Sequence, residues 1–322
     1  MPTALITGAS GFAAPYLARH LEDSGYAVVR GSHGRAEARR EETWTDLDVT
    51  DRGRLRRVLA ETEPDEIYHL AGLTRPADGR AEEIHRVNFG GALNLLEAVR
   101  EAVPEARVLL VGSAYAYGRG DHPIPETRPL EPVNHYGVSK AAADMLGHSY
   151  ALEGLHVVRA RPFNHSGPHQ SPDFVLPSLV RQFAEIGAGR RDPVVRLGNL
   201  DSVRDFSDVR DVVRGYRSAL QGDHSGEAYN FGSGQGFSVK ELFELVRAEA
   251  GIEVELVVEP TRVRATDIPR LVADAGKAER DLGWKTRIPL GRTIREMLAT
   301  DPGGAATDGA VRPIRQDSSG RR

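Results

Sequence analysis

The feature that most constrains the fold is the alternation, over the first half of the chain, of short β-branched runs with longer amphipathic segments. This alternation is typical of a parallel sheet whose strands are joined by crossover helices. Strands are predicted at residues 4–6, 27–29, 66–70, 107–111 and 156–160, and helices at about 13–24, 51–60, 81–102 and 136–153. The sequence therefore predicts an α/β protein with a doubly wound parallel sheet, which binds its ligands at the carboxyl ends of the strands.

The pattern becomes less regular after residue 162, where prolines are frequent. A helix is predicted near 174–188, and a capping box formed by Ser238 and Glu241 precedes another helix, which is followed by a strand at 254–258. We predict a Rossmann-type dinucleotide-binding domain at 1–162, with a returning segment at about 206–231. Residues 163–205 and 232–300 would form a smaller α/β substrate-binding domain, and the polar residues 301–322 a disordered tail.

Composition excludes several classes of protein. The 322 residues contain no cysteine, which excludes disulfides, thiolate metal sites and a cysteine nucleophile, and no metal site is expected. A formal net charge of -4 gives no reason to expect a nucleic acid partner. No apolar run is long enough to span a membrane, and the first residues lack the basic region of a signal peptide, so we expect a cytoplasmic protein.

A glycine-rich turn directly follows the first predicted strand and opens a helix. Its conspicuous residues are Gly8, Ser10, Gly11 and Phe12. In this context glycines let the backbone approach a pyrophosphate at a helix N-terminus. The third glycine of the usual pattern is replaced by Ala14, a position that serves helix packing rather than phosphate contact. The turn predicts a dinucleotide site.

The end of the second strand usually determines which nicotinamide dinucleotide is bound, because a carboxylate there holds the ribose 2′-hydroxyl whereas a cation accepts a 2′-phosphate. Here Ser32, His33 and Arg35 are available as donors, and no acid occurs between residues 30 and 36. This segment favours NADP, with NAD as the alternative.

Tyr136 and Lys140 are four residues apart, so on a helix they share one face. A nearby ammonium favours the phenolate and is expected to lower the pKa of the phenol toward the working range. Ser113 ends an apolar strand, where its hydroxyl could bind the reacting oxygen. We predict these three residues to be catalytic, with Tyr136 and Lys140 also contacting the cofactor.

With these motifs the chain resembles the extended short-chain dehydrogenase/reductase family, over about residues 3–298. The matching residues, in order, are the glycine turn, Asp48 and Val49, the run His69, Leu70, Ala71 and Gly72, then Asn88, Ser113, Tyr117, Gly118, Tyr136 and Lys140. The resemblance implies that Asp48 contacts adenine and that Val49, Leu70, Ala71 and Gly72 line the cofactor site. It also implies that Asn88 helps to place the active-site helix.

Within that family the segments 161–168 (RPFNHSGP) and 197–206 (LGNLDSVRDF) resemble GDP-4-keto-6-deoxy-mannose reductases and GDP-mannose 4,6-dehydratases. The resemblance implies a nucleotide-diphosphate sugar, most simply GDP-linked, as substrate. The implied substrate-binding residues are Thr74, Ser113, Tyr115, Asn164, Asn199, Arg204, Arg264 and Asp267. Two well-separated arginines suit a diphosphate, since each can contact phosphate bidentately. Relatives pair through the helices near 88–102 and 136–153, which implies a homodimer or homotetramer.

The residue types at the predicted site reduce the number of possible reactions. A dehydratase needs a carboxylate for elimination, and the dehydratases that the chain resembles keep a glutamate where this chain has Tyr115. The related reductases also keep an acid there, so Tyr115 departs from both groups. A 3,5-epimerising reductase would need a cysteine acid. Ketoreduction at C4 with Tyr136 as proton donor is therefore the simplest hypothesis. A C4 epimerase or dehydratase with tightly bound NAD remains an alternative, and so does a non-catalytic nucleotide-binding scaffold.

Overall fold

The computed structural model describes residues 1–34, 43–74, 81–120, 122–259 and 268–300. Its centre is a sheet of seven parallel strands in the order β10–β6–β5–β4–β1–β2–β3. The strands are β1 (Thr3–Thr7), β2 (Ala27–Ser32), β3 (Thr43–Asp46), β4 (Glu66–His69), β5 (Arg107–Val111), β6 (Val157–Pro162) and β10 (Ala228–Phe231). The predicted doubly wound α/β fold is confirmed.

Helices cover both faces of this sheet. One face carries α1 (Ala14–Glu22), α7 (Val209–Leu220) and α9 (Gly276–Leu282), and the other carries α2 (Arg52–Thr62), α4 (Gly91–Ala102) and α5 (His135–Leu152). Side chains alternate between the faces along each strand, so that Ala4 and Ile6 join the first core and Leu5 joins the second. The six strands β1 to β6 run parallel, so their carboxyl ends meet at one edge.

The structure adds detail that the sequence prediction did not contain. Strand β3 was not predicted, because its exposed or half-buried residues Thr43–Asp46 give no apolar run. Strand β10 is the part of the predicted returning segment that completes the sheet. The predicted helix at 81–102 consists of α3 (Ala81–His85), a π-helical turn at Arg86–Gly90 and then α4. Such π-turns often occur at functional sites.

The remaining chain forms a second, smaller layer. Strands β7 (Asn164–Ser166), β9 (Val203–Asp208), β11 (Gly236–Ser238) and β13 (Arg270–Leu271) make a mixed sheet, and β8 (Val194–Leu197) pairs with β12 (Glu255–Val258). Helices α6 (Val175–Gly187), α8 (Val239–Ala250) and α10 (Leu290–Thr300) enclose a separate core. The capping box of Ser238 and Glu241 is present at the start of α8. The domain boundaries stay a prediction, and the predicted tail lies outside the described residues.

Among the described helices, none has the length and apolar character that crossing a bilayer would require.

The packing of α7 against the sheet gives a stability prediction. A Cβ on Gly215 would lie 2.5 Å from the Phe231 ring and 2.8 Å from Trp284 Nε1, and both rings are buried. Gly215→Ala should therefore destabilise the protein by about 1–3 kcal/mol through overpacking. The matched control is Gly187→Ala, since the nearest heavy atom to a Cβ there is 4.0 Å away. Urea unfolding of both variants is the measurement, and equal midpoints would contradict the packing described.

Candidate active site

The glycine turn brings β1 and β4 into close contact. Gly8 has φ +68°, and a Cβ there would lie 2.6 Å from Ala71 Cα, so only glycine fits. Gly11 N–H donates to Gly8 O at 2.9 Å and closes the turn. In the described chain no side chain caps the first turn of α1, so its backbone N–H groups face the turn without a side-chain acceptor. The backbone can therefore accommodate a pyrophosphate at this helix N-terminus.

Phe12 connects the turn to the second layer. Its ring stacks on His165 of β7 at 6.2 Å and lies edge-on to Tyr16 at 5.7 Å. Tyr16 Oη donates to Pro168 O at 2.7 Å. The phosphate turn and the segment that carries Asn164 are thus fixed relative to each other.

An acid that the sequence did not predict at this position, Asp46 of β3, lies beside the end of β2. Ser32 is paired in register with Asp46 of β3, and Gly34 N–H donates to Asp46 Oδ1 at 2.9 Å. Ser32 Oγ also bonds Ser10 Oγ at 2.8 Å, and exposed His33 lies 3.8 Å from Asp48. Carboxylates therefore stand beside the predicted phosphate donors. Arg35 lies outside the described residues.

Asp48 and Val49 follow β3 at the same edge. Asp48 Oδ1 accepts bonds from the backbone N–H and the hydroxyl of Thr50, both at 2.8 Å, which fixes the carboxylate. Val49 is buried, and a Cβ on Gly91 would lie 2.7 Å from its side chain, so α4 begins in direct contact with it. Both residues therefore have fixed positions at the end of the strand that lies two places from β1, which the glycine turn follows.

The three predicted catalytic residues meet at the carboxyl ends of β5 and β6. Ser113 follows β5, and its hydroxyl neighbours that of Tyr136, near the start of α5, so that it favours the phenolate. Ser113 Oγ also accepts the N–H of Tyr115 at 3.2 Å. Lys140, one helical turn beyond Tyr136, is buried and donates to Val111 O at 2.9 Å. The arrangement is that of a proton donor with a neighbouring hydroxyl and ammonium.

The pKa values correct one expectation. Burial raises the pKa of Tyr136, and the Ser113 bond offsets only part of that effect. The expected lowering by Lys140 is wrong for this arrangement, because the ammonium donates to the Val111 carbonyl instead. Burial lowers the pKa of Lys140 from 10.5 to about 8. Among the residues that the structure describes, no carboxylate pairs with Lys140.

The floor of the site is built from the ends of β1 and β4 and from the π-helical turn. A Cβ on Gly72 would lie 3.0 Å from Asn88 Oδ1 and 3.1 Å from Lys140 Nζ, so Gly72 separates these groups. Asn88 accepts from Leu73 N at 2.7 Å and donates to Ser139 Oγ at 2.9 Å. Asn88 thus ties the loop after β4 to α5, in keeping with the role that the family resemblance implies for it.

A buried histidine, not assigned a role by the sequence analysis, lies beside Lys140. His69 Nδ1 bonds Thr7 Oγ1 at 2.8 Å, while its Nε2 has no hydrogen-bond partner in the described structure. Burial and then the charge of Lys140 lower the pKa of His69 to about 3. The imidazole is therefore neutral at physiological pH.

A buried ion-pair network lies behind the catalytic residues. Asp144, one turn after Lys140 on α5, accepts two bonds from Arg161 of β6, both at 2.7 Å. Arg161 also donates to Tyr117 Oη at 2.9 Å, and Tyr117 donates to Asn230 at 2.8 Å. Since Tyr117 ends the short helix that Ser113 caps, the network fixes that turn relative to α5. The sequence signal was available: an acid four residues after Lys140.

The predicted substrate residues are only partly brought together. Asn164 begins β7, which pairs with β9 at Phe206, two residues after buried Arg204. Asn199 accepts the backbone N–H of Asp201 at 3.0 Å, and exposed Thr74 follows the loop bound by Asn88. Arg264 and Asp267 lie outside the described residues. Asn164 and Arg204 therefore sit on adjoining strands beside the catalytic edge.

Comparison with known proteins identifies related enzymes. Residues 5–297 match the family model described as GDP-mannose 4,6 dehydratase. GDP-6-deoxy-D-mannose reductase of Pseudomonas aeruginosa is 35% identical over 242 residues, covering 73% of this chain and 80% of that enzyme. GDP-6-deoxy-D-talose 4-dehydrogenase of Aggregatibacter actinomycetemcomitans is 33% identical over 302 residues, covering 91% of this chain and 96% of that enzyme. The structure of RMD from P. aeruginosa complexed with NADPH has a TM-score of 0.83 and 30% sequence identity, and the match covers 94% of this chain and 99% of that one.

The glycine turn gives a binding prediction. Gly8→Ala should weaken NADPH binding at least tenfold (about 1.4 kcal/mol), because the new Cβ forces the ends of β1 and β4 apart. Gly25→Ala is the control: Gly25 has φ +85°, but no heavy atom lies within 4 Å of a Cβ there. Both variants carry backbone strain, and only the first obstructs the turn. Fluorescence titration with NADPH is the measurement, and equal affinities would show that the contact with Ala71 is unimportant.

Lys140 gives a pH prediction. Its pKa of about 8 in the folded chain means that the ammonium is present below pH 8 and is lost above it. If the charge binds the cofactor, kcat/KM for the dinucleotide should fall above about pH 8, because this ratio reports groups of the free enzyme. Lys140→Arg keeps the charge at all accessible pH and should remove this fall. A fall that persists in Lys140→Arg would assign it to another group.

Proposed function

The chain belongs to the GDP-mannose 4,6-dehydratase family of extended short-chain dehydrogenases/reductases, and we propose that it is a 4-ketoreductase of GDP-linked 4-keto-6-deoxy sugars. At the coarser level it is an NAD(P)-dependent enzyme that modifies nucleotide sugars. The observation that carries the finer proposal is the hydroxyl of Ser113 beside that of Tyr136, with Lys140 buried one helical turn further along α5. The pair stands at the ligand-binding edge of the sheet.

The residues at this edge fit a nicotinamide dinucleotide. The uncapped start of α1 and the narrow contact of Gly8 with Ala71 suit its pyrophosphate. Ser10, Gly11 and Phe12 would border the phosphates, Asp48 the adenine, and Lys140 a ribose. The bound dinucleotide supplies the hydride. NADP is the proposed form, supported by Ser32 and His33 and by the NADPH of the P. aeruginosa structure, although Asp46 and Asp48 stand nearby.

The protein residues would handle the proton. Tyr136 keeps its proton at neutral pH because burial raises its pKa, so it can act as the acid toward a ketone oxygen. Ser113 lowers that pKa in part, which means that its hydroxyl stabilises the phenolate left after proton transfer. The Lys140 ammonium would hold the cofactor ribose. These roles together describe reduction of a carbonyl to an alcohol.

The alternatives fit the site less well. Elimination needs a carboxylate beside the sugar, and at that position of the serine turn the chain has Tyr115, whose ring packs on Tyr136. An epimerase would use the same three catalytic residues with tightly bound NAD, so only the cofactor balance separates it. A non-catalytic scaffold would have no need for the neighbouring hydroxyls of Ser113 and Tyr136.

The substrate would extend from the catalytic pair toward the second layer. Asn164 and Arg204 lie on the adjoining strands β7 and β9 and would contact the sugar and the diphosphate. Thr74, Asn199, Arg264 and Asp267 are the further residues proposed for this role. GDP is proposed as the nucleotide on the strength of the relatives' names.

A homodimer through α4 and α5 is part of the proposal. Val138, Met145 and Leu152 are 41%, 65% and 77% exposed and follow one another at seven-residue spacing, which places them in one stripe on α5. Phe89 of the π-helical turn adds a further exposed ring, at 36%. An apolar stripe of this kind is typical of a helix that packs on a second copy.

The test is reduction of GDP-4-keto-6-deoxy-mannose by NADPH and, in parallel, NADH. We expect one NADPH consumed per sugar reduced and a slower reaction with NADH. Tyr136→Phe should lower kcat by about 10²- to 10⁴-fold, since it removes the acid. Tyr150→Phe, at the other end of α5, is the matched control and should leave kcat unchanged, because Tyr150 bonds Glu97 outside the site.

Three results would decide against the proposal. Interconversion of sugar nucleotides without net NADPH consumption would identify an epimerase. Loss of water from GDP-mannose would identify a dehydratase. Turnover by Tyr136→Phe equal to that of the unmodified enzyme would remove Tyr136 from the chemistry.

A further inference from the structure

The side chain of Tyr115 is held in a fixed position beside the catalytic pair. Its N–H donates to Ser113 Oγ at 3.2 Å, and its ring lies edge-on to that of Tyr136, with centroids 5.8 Å apart at 67°. Its carbonyl oxygen would be 2.6 Å from a Cβ on Gly137, so the serine turn is in direct contact with α5. The backbone of Tyr115 is therefore fixed, and its ring packs against that of Tyr136.

The surroundings of this ring are apolar. Tyr115 is half-buried against a small core that includes Ala114, Tyr117, Ile124 and Phe163. The aromatic ring in contact with it is that of Tyr136. The exposed part of Tyr115 thus adds an aromatic surface directly beside the two hydroxyls that would hold the reacting oxygen.

The structure of the sugar determines which of its groups would contact the Tyr115 ring. When O4 lies between Ser113 and Tyr136, the carbon that carries it, C4, is flanked by C3, which carries a hydroxyl, and by C5, which carries C6. An aromatic surface is favourable to a methyl group and unfavourable to a hydroxyl, because the hydroxyl would lose its hydrogen bonds to water. The two possible sugars differ in this group: C6 is a methyl in a 6-deoxy sugar and a hydroxymethyl otherwise.

We propose that Tyr115 is a specificity-determining residue whose ring packs against C6 and selects 6-deoxy nucleotide sugars over their 6-hydroxy counterparts. The inference rests on the proposed 4-ketoreductase function for the orientation of the sugar. An apolar pocket rejects an added hydroxyl by about tenfold to a hundredfold, so the expected selectivity lies in that range.

The experiment uses the reverse reaction with two pairs of substrates. GDP-6-deoxy-D-mannose and GDP-D-mannose form one pair, and GDP-6-deoxy-D-talose and GDP-D-talose the other, so that either stereochemistry at C4 is covered. Each oxidation removes a hydride from C4 and a proton from O4 and yields one NADPH from NADP⁺. The ratio of kcat/KM within a pair is measured for the unmodified enzyme, for Tyr115→Phe and for Tyr115→Ser.

We expect the unmodified enzyme to favour the 6-deoxy member by at least tenfold. Tyr115→Phe keeps the ring and should keep this ratio, whatever its effect on the overall rate. Tyr115→Ser removes the ring and should bring the ratio to within about threefold of one. A ratio near one in the unmodified enzyme, or an unchanged ratio in Tyr115→Ser, would overturn the proposal. A ratio lost already in Tyr115→Phe would also overturn it, since the phenol hydroxyl would then be the contact.

Binding is measured as well, so that failure of the proposed reductase function can be distinguished from failure of the role proposed for Tyr115. Calorimetric titration of the same four sugars into the enzyme with NADP⁺ reports the C6 contact without turnover. Absence of oxidation together with a tenfold binding preference that Tyr115→Ser loses would reject the reductase and keep the role of Tyr115. Equal affinities within both pairs would reject the role of Tyr115, even if the enzyme is an active reductase.

Discussion

The buried ion pair of Asp144 and Arg161 fixes the geometry of the site. Asp144 is 2% exposed and receives a third bond, at 2.9 Å, from Arg159. Removing one member of such a pair leaves a buried charge uncompensated, which costs about 3–5 kcal/mol. Arg161 extends the connection through Tyr117 to the serine turn. The ion pair thereby fixes the position of that turn, and of Ser113 with it, relative to helix α5, which carries Tyr136.

The same pair explains the electrostatics around Lys140. Asp144 lies one turn away on α5, but its oxygens are used by the two arginines, so the carboxylate does not neutralise the ammonium. His69, on the other side, is neutral because burial and the lysine charge lower its pKa to about 3. Lys140 is thus left as a buried cation with a pKa of about 8. A cation in this state gains most from an anion or a ribose hydroxyl that enters the site.

The sequence predicted the parts of the fold that repeat. Regular alternation of apolar runs identified β1, β2, β4, β5 and β6, and the motifs placed Gly8, Ser113, Tyr136 and Lys140 at one edge of the sheet, where the structure has them. It could not predict β3, whose residues are held by pairing with β2 rather than by burial, and Asp46 was missed with it. Nor does helical periodicity reveal the π-turn that aims Asn88 at Ser139. The predicted effect of Lys140 on the pKa of Tyr136 was wrong. Spacing on a helix shows which side chains share a face, but not which acceptor a flexible ammonium binds.

The architecture also suggests why related enzymes can carry out different reactions on one frame. The backbone of the serine turn is fixed independently of the Tyr115 side chain, by the bond of its N–H to Ser113 and by the contact of its carbonyl with Gly137. A different side chain at position 115 therefore leaves Ser113, Tyr136 and Lys140 where they are. A carboxylate there adds a base to the site, whereas a phenol ring adds an apolar wall.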